Sequence, residues 1–511
     1  MKIVLISTST YPSDQGLRTI SSCLKREGYN VKMVFMPMAE DYSLEYPNNV
    51  LEQLKEICSD ARLIGISAYA STSVRAEQII NYLKQFNVPI VWGGPHATIS
   101  PDMCIKQCDI VCRGEGEFTM FQLAKRVNEG KDYYNVSNLW IRKGDEIIKN
   151  EISNMPDCLD CFAPPDYDLE DHYLLESGKL VQFREKHLNG MIFFMTTRGC
   201  PNACAYCCNH LYRQLYHGHG KLLRSYSIDY VIKELQRLRD KFPTVGVFDI
   251  RDETFFARPL SDMKEFAERY QKEVGVRWKC LADPTTMSEE KLQLLVDAGL
   301  TDIIIGIQSG SDRVNFEVYK RFIKRERVLK AAKIANKFKG KLAVMYDIIT
   351  TNPYENPEDV LDSINLLREI PKPYFLSVNN LVFFLGTPLY EKAIADGIIK
   401  SKKDSASHLN YWDRWNHIKL KKKNAYLNLI LNLMRGPVTD KRYGIIPAPL
   451  LKKLISKKAV DYNLKHNIPT YTAGQFVLAV DYFREHVAKP LYRNMLPTSV
   501  KVWYDKVRYR V

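Results

Sequence analysis

The sequence contains no uninterrupted apolar run near the roughly 18–20 residues that a bilayer-spanning helix needs, so a transmembrane reading is excluded. It is poor in cysteine for its size: 12 in 511 residues, far below the density of a disulfide scaffold. No secretory signal is legible. "MKIVLIST" carries one lysine and an apolar run that ends at Ser7, and it reads as a first buried strand. Reduced thiols in a cytoplasmic chain are therefore expected, and where they cluster they point to metal or catalysis. Net charge is nearly absent over the first 400 residues, with 51 Lys+Arg against 52 Asp+Glu. Residues 401–511 hold 22 against 7, so the overall +14 belongs to that segment alone. The remaining composition, 45% hydrophobic and 26% charged, is that of a folded protein long enough for two to four domains.

The first 130 residues alternate strand and helix. "KIVLIST", "NVKMVFMP", "ARLIGISAY", "VPIVWGG" and "CDIVCRG" read as short buried strands. "TISSCLKREGY", "VRAEQIINYLKQF" and "GEFTMFQLAKRV" read as helices between or after them. That pattern predicts a doubly wound, Rossmann-like α/β domain with a parallel sheet covered on both faces. Ligands of such sheets sit beyond the carboxyl ends of the strands. Those ends read Ser7-Thr8-Ser9-Thr10, Ser67-Ala68-Tyr69 and Gly93-Gly94-Pro95-His96, small or hydroxylated residues that let backbone approach a large flat ligand. Tight turns of a doubly wound domain account for the same residues equally well.

"DQGLRTISSCLKREGYNV", "IGISAYAST", "GGPHAT" and "CRGEGE" resemble the cobalamin-binding domain of cobalamin-dependent radical SAM enzymes over most of residues 1–130. The resemblance implies cobalamin contacts at Ser7, Thr8, Ser67, Gly93 and Gly94. One departure is clear: the Asp-x-His-x-x-Gly motif, whose histidine ligates cobalt in other cobalamin modules, is absent. Either cobalamin is held without that ligand or the domain no longer binds it. Glu115 and Glu117 read either as paired carboxylates for acid–base work or as a polar turn with acids at a helix N-terminus.

"TTRGCPNACAYCCNH" crowds four cysteines into nine positions. Thiolates bind soft metals and iron–sulfur clusters, whereas a structural zinc site wants four closed ligands. Three thiolates at Cys200, Cys204 and Cys207 leave one iron of a [4Fe–4S] cluster open to an exogenous ligand. The spacing Cys-x-x-x-Cys-x-x-Cys, after the apolar "MIFFMTT" and the turn "RGCP", resembles the radical SAM superfamily signature. There the open iron chelates S-adenosylmethionine (SAM) through its amino and carboxylate groups. Tyr206 fits the aromatic residue common before the third cysteine. Cys208 is expected to face the wall of the fold as a bystander.

Five further strand patterns follow, "TVGVFDI", "VRWKCLA", "TDIIIGIQSG", "KLAVMYDIIT" and "YFLSVNNLVFF", with helical segments between them. Counting the strand before the cysteines, this resembles the partial (β/α)6 radical SAM barrel through roughly residues 187–400. Active sites of β/α barrels collect at the carboxyl ends of the strands. The resemblance implies SAM contacts from Asp252 and Glu253 in "IRDETFF", and SAM or substrate contacts from Gln308, Ser309 and Ser311 in "GIQSGS". A second departure lies in "KCLADPTTM", where many relatives carry an arginine and this chain has Leu281, Ala282 and Asp283.

The other cysteines have two readings each. Cys158 and Cys161 form a Cys-x-x-Cys pair that would need two more ligands to make a second metal site. Cys104, Cys108 and Cys112 are either buried structural thiols or metal ligands. Cys280, on a strand end taken as inward-facing, is a candidate hydrogen donor to a radical. In the last segment, "IKLKKKNAYLNLILNLMRG" and "APLLKKLISKKAV" set basic runs beside apolar ones. That pairing suits the solvated face of a helical lid or an interfacial helix on an anionic membrane. No nucleic-acid-binding module is recognisable.

Four regions are expected: a cobalamin-binding-like domain over 1–150, a linker over 151–186, a radical SAM barrel over 187–400 and a basic, mainly helical C-terminal domain over 401–511. The resemblance implies a radical SAM enzyme with a [4Fe–4S] cluster, SAM and cobalamin. It would cleave SAM reductively and modify, by methylation, an unactivated carbon of a small-molecule or lipid-like substrate. A cobalamin-dependent oxidative cyclase or carbon-skeleton enzyme is the alternative, as is a radical SAM enzyme that works without cobalamin. A reductant such as flavodoxin or ferredoxin is the implied partner. The expected location is cytoplasmic, with peripheral membrane contact through 401–511.

Overall fold

The computed structural model describes residues 1–9, 11–37, 45–400 and 424–466. Thr10 and much of the basic tail lie outside the described residues. The chain divides into two compact units. The first comprises Met1–Glu253, Lys272–Arg277 and Phe383–Ala395; the second comprises Thr254–Gln271, Trp278–Val382 and the described residues from Asp396 onward.

The first unit is built on β1 (Lys2–Ser7), β2 (Asn30–Phe35), β3 (Leu63–Ser67), β4 (Ile90–Gly93) and β5 (Ile110–Cys112). Helices α1 (Gln15–Arg26), α2 (Asn48–Cys58), α3 (Ser73–Leu83), α4 (Gly94–Ile99), α5 (Pro101–Cys104) and α6 (Glu117–Asn128) punctuate them. The five strands are parallel in the order β5-β4-β3-β1-β2. Because β2 lies on one side of β1 and β3 on the other, the chain reverses direction across the sheet at β1/β3. A crevice opens at the carboxyl ends of such a switch point. Nearly every β1 and β3 residue is buried, as parallel strands covered on both faces require.

Two hairpins extend this sheet beyond the expected pattern. β6 (Leu139–Lys143) and β7 (Glu146–Lys149) add to β5, and β8 (His172–Glu176) and β9 (Lys179–Gln182) add to β2. Residues 151–186, expected as a linker, therefore supply two strands of the N-terminal sheet. Ser177 and Gly178, both at positive φ (51° and 78°), form the two-residue turn whose twist suits a hairpin.

A buried charge holds the β8 edge. Arg18 of α1 has no solvent exposure; its guanidinium lies 4.5 Å from the Phe35 ring and 4.2 Å from the Tyr167 ring. It donates to the Asp166 carbonyl (2.6 Å) and to the Pro12 carbonyl (3.1 Å) in the first strand-end loop. Asp166 in turn accepts from Ser21 and pairs with Lys25 and His172.

The first unit also contains β10 (Met191–Phe194), β11 (Thr197–Arg198), β12 (Arg224–Ser225), β13 (Val247–Ile250), α7 (Cys208–Leu215) and α8 (Ile228–Lys241). β10 and β13 are parallel neighbours; β11 and β12 pair antiparallel, Arg198 opposite Arg224.

The second unit carries four parallel neighbouring strands, β14 (Arg277–Ala282), β15 (Leu300–Gln308), β16 (Ala343–Thr350) and β17 (Tyr374–Asn380). Helices α9 (Leu260–Arg269), α10 (Glu289–Asp297), α11 (Arg325–Asn336) and α12 (Pro357–Glu369) accompany them. Alternate residues are buried: Ile303, Ile305 and Ile307 on one face of β15, with Asp302, Ile304, Gly306 and Gln308 half-buried on the other. Trp278 has no exposure and packs against Phe255, Phe266 and Tyr270 at 5.2–5.7 Å between ring centres. Cys280 shares that buried face of β14. The expectation that it faces inward as a hydrogen donor is overturned, because a period of two places it with Trp278 against α9.

The C-terminal segment contributes to this unit. β18 (Gly436–Val438), β19 (Arg442–Tyr443) and β20 (Ile446–Pro447) continue the sheet antiparallel from β17. The helix Ala425–Leu433, the apolar run "AYLNLILNL", buries Leu427, Ile430 and Leu431. That run is core, not an interfacial face. Helices over Ala448–Leu454 and Lys457–Lys465 follow, so the described part of the segment is mainly helical as expected. No helix among the described residues is long and apolar enough to cross a membrane.

Candidate active site

The switch-point edge comes first. Ser7, Ser67 and Gly93 stand side by side in register at the carboxyl ends of β1, β3 and β4. Ser7 and Thr8 have no exposure. The Ser7 hydroxyl donates to Asp14 (3.1 Å), and the Thr8 hydroxyl donates to Thr72 (2.8 Å). These two side chains brace the edge at the carboxyl end of β1. Gly94 holds φ +86°, and a Cβ there would lie 2.9 Å from the Ser67 hydroxyl, so the glycine serves the tight strand-end turn. Half-buried Ser67 and Gly93 remain to face a ligand. A broad edge of small side chains over a satisfied hydrogen-bond layer suits a large flat group such as a corrin.

The cysteine loop runs from β11 to α7. Gly199 adopts φ +90°, and a Cβ there would lie 2.3 Å from the Leu222 carbonyl. Only glycine makes this turn. The loop's carbonyls are claimed by neighbours: Arg213 donates to those of Cys200 (3.1 Å) and Pro201 (3.0 Å), and Leu389 donates to that of Ala205 (3.0 Å). With the backbone so anchored, Cys200, Cys204 and Cys207 are thiols on one short loop, Cys204 buried and the other two half-buried. Burial pushes the Cys200 thiol up to about 12. Cys207 is held below its ordinary value, chiefly because the Cys208 thiol donates to it. Cys208 is thus a direct neighbour of Cys207 and not the bystander expected.

Among the described residues no three His, Cys, Asp or Glu side chains converge on a single ion position. Three thiolates that each hold a different iron of one cluster have no need to converge. The set is all sulfur and fits a [4Fe–4S] cluster better than a mononuclear hard cation. Tyr206 lies half-buried on the same loop.

Asp252 and Glu253 follow β13 and part company. Asp252 has no exposure; its carboxylate accepts from the amides of Thr196 (2.6 Å) and Thr197 (2.9 Å) and from the Thr196 hydroxyl. It braces the chain just before the cysteine loop. Glu253 is partly open to solvent, yet its carboxyl is recessed beside Asn209, and burial holds it above the usual carboxylate range.

In the second unit, "GIQSGS" is mainly a packing turn. Gly310 sits so close to α12 that a Cβ would lie 2.4 Å from Ser363 Cα. Ser309 and Ser311 are buried: Ser309 accepts from the Ser311 amide (3.2 Å), and the Ser311 hydroxyl donates to Asp359 (2.7 Å). Both hydroxyls are engaged. Gln308 remains half-buried at the strand end with φ +69°. Such a backbone in a non-glycine residue is a recognised mark of functional strand ends.

Sequence reasoning missed several of these groups. Arg321 (5% exposed) pairs with Asp283 at 2.8 Å and donates to the carbonyls of Gly306 and Ile307. An arginine thus reaches the exit of β14 from a distant loop, where the strand-end loop itself has none. Thr351, at φ +56°, follows β16; Asn428 of the helix Ala425–Leu433 accepts from its amide (3.0 Å). No local signal could reveal either contact, because each partner lies tens of residues away.

The remaining thiols are placed plainly. Cys104, Cys108 and Cys112 are buried, and Cys108 donates to the Ile90 carbonyl. Cys158 and Cys161 are exposed on the turn Leu159–Cys161.

Comparison with known proteins identifies two domains in the chain. Residues 1–124 match the family model for the B12 binding domain, and residues 194–367 match that of the radical SAM superfamily. An uncharacterized methyltransferase of Pyrococcus horikoshii is 26% identical over 393 residues, covering 75% of this chain and 79% of that protein. An anaerobic magnesium-protoporphyrin IX monomethyl ester cyclase of Rubrivivax gelatinosus is 26% identical, covering 58% of this chain and 53% of that protein. The solved structure of the cobalamin-dependent S-adenosylmethionine radical enzyme OxsB, with aqua-cobalamin and SAM bound, superposes with a TM-score of 0.65. It shares 15% identity over 95% of this chain and 75% of that one, a likeness of fold.

Proposed function

This chain joins a B12-binding domain to a radical SAM domain, and on that premise we propose that it methylates an unactivated carbon of a small-molecule or lipid-like substrate. The two domains imply a [4Fe–4S] cluster, SAM and cobalamin. When bound, the cluster supplies the electron that cleaves SAM to methionine and a 5′-deoxyadenosyl radical, and cobalamin supplies a methyl group. The single observation that carries the reading is the three-thiol loop Cys200, Cys204 and Cys207 held in the same compact unit as the small-residue edge Ser67 and Gly93.

The chain's own residues divide the work. Cys200, Cys204 and Cys207 are the thiolate ligands, with Gly199 and Arg213 fixing the loop that carries them. Tyr206 on that loop and Glu253 after β13 are read as SAM contacts. Asp252, Ser7 and Thr8 brace the backbone at these positions. Holding reactants at fixed separation and keeping water out is the protein's part in such chemistry.

The test is anaerobic reconstitution with SAM, cobalamin and a flavodoxin or ferredoxin reductant, followed by assay of 5′-deoxyadenosine and of methylated products in host lipid and metabolite extracts. Production of 5′-deoxyadenosine with a methylated product supports the reading. Products lacking added carbon would favour the second reading, an oxidative cyclase, which the similarity to a cyclase motivates. No 5′-deoxyadenosine from an intact cluster would sink both.

The basic C-terminal segment is read as a peripheral contact with anionic membrane. Ile445, Leu450 and Tyr462 expose 61%, 45% and 58% of their surface among Lys441, Arg442, Lys452, Lys453, Lys457 and Lys458. Apolar tips set among cations suit an anionic headgroup layer. Sedimentation with anionic liposomes at low salt tests this, and its absence would end the idea.

A further inference from the structure

The Arg113-Gly114-Glu115-Gly116-Glu117 turn between β5 and α6 belongs to the B12-binding region, yet its carboxylates are spent on the cysteine loop. Arg198, two residues before Cys200, donates to Glu117 at 2.5 Å and pairs with Glu115 at 3.2 Å. Arg224 clasps Glu115 with both terminal nitrogens and donates to the Pro156 carbonyl (3.3 Å). The Phe162 ring lies 4.9 Å from the Arg198 guanidinium.

The charge arrangement explains why acids are needed here. Arg198 and Arg224 are directly opposite each other on β11 and β12. Like charges across strands repel, and Arg224 is only 4% exposed. Glu115, shared by both guanidiniums, turns that repulsion into a closed ion-paired lock. A buried charge left without its partner is strongly unfavourable.

The same turn grips the far side of the loop. Tyr216, the residue after α7, accepts from the Glu115 amide through its hydroxyl at 2.7 Å. Gly114 holds φ +74°, and a Cβ there would fall 2.0 Å from the Tyr216 hydroxyl oxygen, so the turn is shaped around that tyrosine. The chain before the cysteines and the chain after their helix are thus both fastened to five residues of the neighbouring domain.

We propose that Glu115 and Glu117 are positioning residues that hold the cysteine loop in register from the B12-binding domain. This rests on the reading of Cys200, Cys204 and Cys207 as cluster ligands. Neither carboxylate touches a reacting atom. Their effect passes through Arg198 to Gly199 and Cys200, and through Tyr216 to α7, whose first residue follows Cys207.

The experiment compares wild type, Glu115→Gln, Glu117→Gln and Tyr216→Phe as full-length, anaerobically reconstituted proteins. Iron and sulfide per chain, the electron paramagnetic resonance spectrum of the reduced cluster with and without SAM, and SAM cleavage are read on each. For Glu115→Gln the expected result is a broadened, SAM-unresponsive spectrum, a raised KM for SAM, and cleavage down about tenfold or more, the scale of a misplaced reactant. Glu117→Gln is expected to follow with a smaller effect, and Glu117→Asp to restore part of it. Tyr216→Phe removes a single acceptor and is expected to lower cleavage about threefold. Should Glu115→Gln fail to fold by circular dichroism, Tyr216→Phe and Glu117→Gln carry the test. Spectra, iron content and KM equal to wild type in the folded variants would overturn the proposal. A wild-type protein that assembles no cluster would instead overturn the site reading beneath it.

Discussion

Gln15 and Met195 exchange two hydrogen bonds across 180 residues of sequence. The Gln15 amide nitrogen donates to the Met195 carbonyl (3.2 Å), and its side-chain oxygen accepts from the Met195 amide. The β1–α1 loop is in this way fastened to the end of β10, one residue before Thr196. Gln15→Ala leaves the Met195 amide and carbonyl without these partners. It is expected to destabilise the fold by about 1–3 kcal/mol, read as a lower urea midpoint at unchanged m-value. Gln15→Glu keeps the acceptor and loses the donor, so it should fall between wild type and alanine. Equal midpoints for all three proteins would show that the exchange contributes nothing.

Cys204→Ala should lose most of its iron after reconstitution, because the remaining two thiols cannot hold the cluster. Cys208→Ala should keep iron near the wild-type level. Its cluster spectrum should shift, since the thiol that donates to Cys207 is gone. Iron and sulfide analysis with paramagnetic resonance checks both; an iron-free Cys208→Ala protein would move Cys208 among the ligands.

Glu355 gives a pH dependence with a definite sign. Its carboxyl is 2% exposed, and one of its oxygens has no hydrogen-bond partner. Burial, with Asp359 nearby and only partly offset by Arg313, raises it to about 8. The folded state therefore keeps a proton that the unfolded chain has already released above about pH 4.5. Stability from this group is full below that pH and declines as pH rises towards 8, by about 1.4 kcal/mol per pH unit, then levels off. Glu355→Gln should flatten the curve, matching wild type near pH 5 and exceeding it near pH 8. Chemical denaturation at both values decides it, and parallel curves would refute the assignment.

Asn428→Ala should destabilise the second unit by about 1–3 kcal/mol, because the Thr351 amide and the Thr350 hydroxyl lose their acceptor. The strained backbone of Thr351 would then have less to hold it. Thr351→Gly should recover part of the loss in the Asn428→Ala background, where the strain is no longer repaid. Additive effects of the two changes would argue against coupling.

How much of this was legible depended on the reach of each interaction. The cysteine spacing, the Gly-Cys turn and the alternation of β1–β5 with their helices are local, and the sequence displays them directly. The brace from Asp252 to Thr196 joins residues 56 apart, and the lock from Arg198 to Glu117 joins residues 81 apart. A carboxylate next to a strand end looks the same in sequence whether it meets a ligand or a backbone amide, so the Asp252 brace is not legible there. Cys280 was misplaced because the side of a strand that faces helices is not marked by the residue itself. "AYLNLILNL" is apolar on several sides, a pattern shared by core helices and interfacial ones. What separates them is the partner surface, supplied here by the second unit's own sheet and by α12.

Cys158, which caps the Leu159–Cys161 turn, and Cys161, which ends it, are the exposed ones of the twelve cysteines. They offer a chemical handle separate from the cysteine loop. A maleimide reagent in brief contact with the protein should reach Cys158 and Cys161 first, leaving the ten other thiols largely unmarked. A dye placed there would lie close in sequence to Phe162, the ring against Arg198, and so would report on the packing at the base of the cysteine loop while it fills.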